Sequence, residues 1–133
     1  MTNILIIDDE VDIAKNISAI LTDENYQTYN ASNSDQAFDL ISMYKFDLII
    51  LDVWLDNSKL DGLEILKEIR KKESLPIIVI SGHGNIEMAV QAIKDGANEF
   101  IEKPFTSERL VLSVNRSIEM SIIKNENINL KTK

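Results

Sequence analysis

Three short apolar runs, each ending abruptly in a polar residue, constrain this chain more than any other feature. Ile4-Leu5-Ile6-Ile7 stops at Asp8-Asp9-Glu10, Leu48-Ile49-Ile50-Leu51 stops at Asp52, and Ile77-Ile78-Val79-Ile80 stops at Ser81-Gly82. Runs this short, rich in β-branched residues and with no polar face, read as parallel strands buried on both sides. The strands predicted are Asn3 to Ile7, Phe46 to Leu51 and Pro76 to Ile80. Pro76 at the first position leaves the hydrogen-bond ladder intact. Weaker strands are expected over Gln27 to Ala31 and Asn98 to Glu102.

The stretches between them carry helical periodicity. Ile13, Ile17, Ile20 and Leu21 share one face, as do Ala37, Leu40, Ile41 and Tyr44, with Ser34 as the expected N-cap. Ile65, Leu66 and Ile69 mark a third helix. Ala89, Val90, Ala92 and Ile93 mark a fourth, closed by Gly96. Val111, Val114 and Ile118 mark a fifth, capped by Ser107. Five β-α units in succession predict an α/β fold: a flavodoxin-like, doubly wound, five-stranded parallel sheet with helices on both faces. In the 2-1-3-4-5 version of that sheet the functional crevice lies beyond the carboxyl ends of the strands.

The 133 residues suffice for one domain, expected over 1–123, with 124–133 as a linker or frayed helix end leading to an output domain. The chain has no cysteine and a single histidine, His83, which excludes disulfides and thiolate or histidine-rich metal sites. His83 is expected to be an exposed loop residue. A formal charge of −8 argues against direct nucleic-acid binding by this segment. No apolar run approaches a membrane span, and no basic leader precedes the first strand, so a cytoplasmic location is expected.

The strand ends collect Asp8 and Asp9 from the first run, Asp52 from the third strand, Ser81 from the fourth and Lys103 from the fifth. With the first and third strands adjacent, three carboxylates crowd together and cannot all ionise cheaply. A hard divalent cation with oxygen ligands, Mg²⁺ above all and Mn²⁺ as a substitute, relieves that repulsion. Lys103 adds a positive charge and Ser81 a hydroxyl. A carboxylate nucleophile, a metal clamp and two phosphate ligands are the equipment for phosphoryl transfer to an aspartate.

Rival chemistries fit less well. A nucleotide-binding first turn needs backbone donors where this chain has Asp8-Asp9-Glu10. A dehalogenase-type phosphatase needs an Asp-x-Asp signature after its first strand, but Asp52 is followed by Val53-Trp54. A calcium loop over Asp56 to Lys67 has Asp61 where the turn glycine belongs and Lys67 where the bidentate Glu belongs. Ser81 and His83, neighbours in one tight loop, cannot converge as nucleophile and base.

Five signatures in order, Ile6-Ile7-Asp8-Asp9-Glu10, Leu51-Asp52, Asp61-Gly62-Leu63, Ser81-Gly82 and Glu102-Lys103-Pro104-Phe105, make the chain resemble the receiver domain of two-component response regulators from about Asn3 to Ser121. The resemblance implies roles. Asp52 matches the phosphoacceptor and is supplied by a sensor histidine kinase. Asp9 matches the direct metal ligand, Asp8 the one that acts through water, and the backbone carbonyl of Trp54 completes the metal shell. Ser81 matches the switch hydroxyl, Lys103 the phosphate-binding lysine with a cis bond to Pro104, and Phe100 the switch aromatic.

The segment Val53 to Gly62 is two residues longer than the usual receiver loop and lacks its proline. With Ser81-Gly82-His83-Gly84-Asn85 it resembles the NtrX-type nitrogen regulators, which join a receiver to an ATPase domain and a helix-turn-helix. The loop from Leu55 to Leu60, with Asp56-Asn57-Ser58 at its centre, is expected to be mobile. Readout, including a possible homodimer, is expected on the face of the fourth helix, fifth strand and fifth helix.

Overall fold

In the computed structural model, residues 2–53, 62–82 and 86–131 are described, the side chains of 86 and 123–131 excepted. The elements alternate as expected: β1 (Asn3–Ile7), α1 (Val11–Asp23), β2 (Gln27–Ala31), α2 (Ser34–Met43), β3 (Leu48–Asp52), α3 (Gly62–Lys72), β4 (Ile77–Ser81), α4 (Ile86–Lys94), β5 (Glu99–Glu102) and α5 (Ser107–Lys131). The strands form one sheet in the order β2-β1-β3-β4-β5, every pair parallel. α5 continues through the segment expected to be a linker or helix end.

Alternation across the pleat explains why the strand runs have no polar face. Leu5, Ile7, Ile49, Leu51, Ile77 and Val79 point to one side and pack with Ala37 of α2, Ile65, Leu66 and Ile69 of α3 and Ala92 of α4. Ile4, Ile6, Leu48, Ile50, Ile78 and Ile80 point to the other side, under Ala14, Ile17 and Leu21 of α1 and Leu110 and Val114 of α5. Each buried aliphatic side chain contributes roughly 1.5–3 kcal/mol, so two apolar layers outweigh any helical preference of these short runs.

Several local expectations need correction. The N-cap of α2 is Asn33, whose side chain accepts the Gln36 N–H at 2.9 Å. Ser34 is instead the first helical residue and is buried. The carboxamide of Gln36 reaches back to the Ser32 N–H at 2.8 Å, so the asparagine cap is held from both directions. Thr106, not Ser107, caps α5, its hydroxyl accepting the Arg109 N–H at 3.1 Å. Tyr44 lies past the end of α2 in extended backbone, with its ring against Tyr29 at 4.7 Å between centroids. On α4, Val90 and Ile93 are 49% and 48% exposed, while Ala92 is buried and Met88 packs against the same layer.

Gly96 does close α4. Its φ of 117° suits glycine, and the bonds Gly96 N–H to Ile93 O and Ala97 N–H to Ala92 O make a Schellman ending. Asn25, with φ 69°, ends α1 the same way through bonds to Thr22 O and, from Tyr26, to Leu21 O. Trp54, His83 and the loop from Leu55 to Leu60 lie outside the described residues. Among the described residues no helix is long and apolar enough to cross a membrane.

Candidate functional site

The carboxyl ends of β1 and β3 lie side by side because Ile7 pairs with Leu51. The next residues on each strand, Asp8 and Asp52, therefore emerge together at the top of the sheet. Both are almost fully buried, Asp8 at 2% and Asp52 at 1% exposure, and Ser81 at the end of the neighbouring β4 is at 0%. Asp9 is half-buried and Glu10 exposed at the rim. Asp8, Asp9, Glu10 and Asp52 can each place one carboxylate oxygen within 4.8 Å of the others.

Lys103 bridges this cluster from β5. Its N–H donates to Ser81 O at 2.8 Å, which fixes the backbone just past the strand. Its ammonium donates to Asp52 Oδ2 at 2.9 Å and lies 3.5 Å from Asp8 Oδ2 and 3.6 Å from Glu10 Oε1. The bond from Lys103 to Pro104 is cis. Burial alone would lower the Lys103 pKa, but the hydrogen bond and charge of Asp52, with the charges of Asp8 and Glu10, outweigh it and raise it.

Asp8 shows the strain of this crowding. Burial pushes its carboxyl up from 3.8 to about 6. The Glu10 N–H, donated to Asp8 Oδ1 at 2.9 Å, opposes that rise, the charge of Asp52 adds to it, and Lys103 offsets part of it. Among the described residues one ammonium thus contacts three carboxylates of a cluster of four. An all-oxygen cluster with this excess of negative charge and an open rim has the donor set of a hard divalent cation.

The structure brings Asp8, Asp9, Asp52, Ser81 and Lys103 to one end of the sheet. Phe100 stands apart, half-buried, opposite Val79 on β5 and packed against the layer that includes Ala92 of α4. Glu10, present in the acidic run without a role of its own, joins the cluster through Lys103. The glycine of Asp61-Gly62 also gains a physical reason. A Cβ on Gly62 would lie 2.1 Å from Val53 Cα and 2.6 Å from Asp52 O, and its N–H donates to Val53 O at 3.2 Å. α3 therefore starts directly against the backbone of Asp52, a closeness that only glycine permits. Beside the carboxylates, a cleft of about 400 Å³ is lined by Ile13, Asn16, Gly82, Lys103, Pro104 and Phe105.

This doubly wound sheet, with its acidic cluster and bridging lysine at the strand ends, defines a two-component signalling domain. The chain belongs to the response regulator receiver domain family, whose model matches residues 4–115. Such domains are signalling switches that work with sensor histidine kinases.

Among relatives, an NtrX-like response regulator of Rickettsia bellii is 48% identical over 134 residues, covering 100% of this chain and 28% of that protein. The nitrogen assimilation regulatory protein NtrX of Azorhizobium caulinodans is 47% identical over 130 residues, 97% of this chain and 29% of that protein. The crystal structure of the receiver domain of NtrX from Brucella abortus superposes with a TM-score of 0.85 at 50% identity, covering 87% of this chain and 98% of that one. The chain thus spans under a third of the length of these NtrX-type relatives.

Proposed function

We propose that Asp52 takes a phosphoryl group from a sensor histidine kinase, or from a small donor such as acetyl phosphate, and that the domain then switches shape to control a transcriptional output domain. The observation that carries this reading is the buried Asp52 carboxylate at the end of β3, bonded to Lys103 at 2.9 Å within the acidic cluster. One Asp52 oxygen attacks phosphorus in line with the leaving group. The new P–O bond forms as the donor's P–N bond, or the P–O bond of acetyl phosphate, breaks. Lys103 stabilises charge on the phosphoryl oxygens, and Ser81 donates to one of them. Mg²⁺, or Mn²⁺ in its place, would be held by Asp9, Asp52 and the Trp54 backbone carbonyl, with Asp8 acting through water, and would supply charge neutralisation of the transferring group. The cleft beside Lys103 is an open approach for the donor's side chain.

Once formed, the phosphoryl group presents about two negative charges and three acceptor oxygens. Ser81 moves toward it, the turn into α4 follows, and Phe100 changes its packing. The altered face is that of α4, β5 and α5, where Val90, Ile93, Leu112 and Met120 are exposed apolar residues suited to a homodimer contact. Residues 1–123 act as the receiver, and the segment from 124 leads to the output domain of a cytoplasmic regulator. The charge of −8 keeps this segment itself from nucleic acid. Intact-mass spectrometry after acetyl phosphate treatment tests the assignment: the wild type gains one phosphoryl group and Asp52→Asn none. Equal labelling of both proteins refutes it.

A further inference from the structure

Helices α3 and α4 both cover the same side of the sheet, yet they are held in different ways. α3 buries Ile65, Leu66 and Ile69, whereas Ala92 is the one described α4 side chain that is fully buried. Met88 packs on the same layer, and the turn that follows α4 is fastened to α3. Arg70, from α3, donates through Nε to Gly96 O at 3.0 Å and through Nη2 to Asn98 Oδ1 at 2.9 Å. Its Nη1 donates to Glu73 O at 3.0 Å and Leu75 O at 2.7 Å. Asn98 Oδ1 also accepts the Ile77 N–H at 2.9 Å.

One guanidinium therefore joins the end of α3, the start of β4 and the turn into β5. Asp95 lies beside the same corner, its Oδ1 accepting from Gln91 Nε2 one turn back at 2.9 Å and its Oδ2 3.9 Å from Lys67 Nζ. All these contacts sit at the amino ends of β4 and β5, the opposite edge of the sheet from Ser81 and Lys103.

We propose that Arg70 is the fixed pivot of the switch: it holds the α4–β5 turn to α3, so that a displacement begun at Ser81 swings α4 about its carboxyl end. This rests on the reading of Asp52 as phosphoacceptor. α4 begins at Ile86, ten residues before Gly96, which puts its amino end roughly 15 Å from the pivot at about 1.5 Å per residue, so a small tilt there becomes a shift of surface shape. Arg70 is a positioning residue and touches no reacting atom. Its planar fork reaches three carbonyls and a carboxamide at once, which the point charge of a lysine cannot do.

Amide hydrogen exchange with and without beryllofluoride, a phosphoryl mimic, tests the pivot. In the wild type the change at Ser81 is expected to continue into the first turn of α4, fall along the helix and vanish at Gly96 to Asn98. In Arg70→Lys, Asp52 is still labelled by acetyl phosphate, but the change extends into Gly96 to Asn98. A wild-type change that runs undiminished through Gly96 to Asn98 overturns the pivot alone, as does an Arg70→Lys gradient identical to that of the wild type. If Arg70→Lys does not fold, the wild-type gradient decides. No change at Asp52 or Ser81 overturns the phosphoacceptor reading and the pivot with it.

Discussion

Replacing Asp8 by asparagine should make the metal-free protein more stable at neutral pH while weakening its hold on Mg²⁺. Asp8 is buried at 2% exposure, and its pKa rises from 3.8 to about 6. Folding therefore favours its protonated form. The associated stability is fully present below pH 3.8 and is lost as pH rises through about 6. A difference of about two in pKa corresponds to ~3 kcal/mol at pH 7. Asparagine keeps an oxygen for the Glu10 N–H, but its amide N–H₂ needs a partner where Lys103 stood 3.5 Å away. Leaving that donor unmatched costs ~1 kcal/mol or more.

The net gain for Asp8→Asn is thus ~1–2 kcal/mol, and at roughly 4 °C per kcal/mol it should raise the melting temperature by about 4–8 °C in EDTA at pH 7. The gap between the two proteins should narrow as pH falls from about 6 towards 3.8, because the wild-type carboxyl then gains its proton in the folded state. Added Mg²⁺ should stabilise the wild type more than the variant. Urea or thermal unfolding at several pH values, with EDTA or Mg²⁺, measures all three effects. Equal stabilities at pH 7 in EDTA, or a gap undiminished below pH 4, would refute the claim that burial of this charge dominates.

Asp9→Ala should weaken Mg²⁺ binding, and EDTA should arrest labelling of Asp52; an unchanged labelling rate in EDTA would exclude the metal-assisted route. Gly62→Ala forces a Cβ to 2.1 Å from Val53 Cα, so urea denaturation should show a loss of ~1–3 kcal/mol, with slower labelling of the displaced Asp52. Gly96→Ala must hold φ 117° and put a Cβ 2.5 Å from Arg70 Cγ, which should cost ~1–3 kcal/mol and loosen amide protection at Ala97 and Asn98.

The parts of the molecule that the sequence made legible are those set by local pattern. β1, β3 and β4 stood out because they are covered on both sides, so their four-residue aliphatic runs had no other reading. The site followed from what ends each run, since parallel strands in this order bring Asp8, Asp52, Ser81 and Lys103 to one edge. What stayed hidden depends on pairing across crossovers. Arg70 bonds to Gly96 and Asn98, 26 and 28 residues away. Glu99 collects Ser113 at 3.2 Å, Ser117 at 3.0 Å and Arg116 from α5. Nothing in the periodicity of α3 or α5 marks these residues, because an arginine or serine on a helix is ordinarily solvated. The buried face of α4 was not legible for a related reason: its apolar residues go round the helix, and tertiary contact decides that Ala92 is buried while Val90 and Ile93 are exposed.

The site is placed by the stiffest elements, β1, β3 and β4, whose side chains fill both cores, so a charge arriving at Asp52 meets a frame that resists distortion. The response must pass to an element held less tightly. α1 and α3 each bury several side chains against the sheet, and α5 is fastened to β5 through Glu99 as well as through Leu110 and Val114. Among the described residues of α4, Ala92 is buried and Met88 packs on the same layer, and the turn that follows the helix is anchored by Arg70. Phe100 packs against the core layer to which Ala92 belongs, so in the proposed switch a tilt of α4 would alter its surroundings. In the proposed switch the exposed Val90 and Ile93 would ride on the tilting helix, linking the charges at Asp52 to the surface offered to a partner.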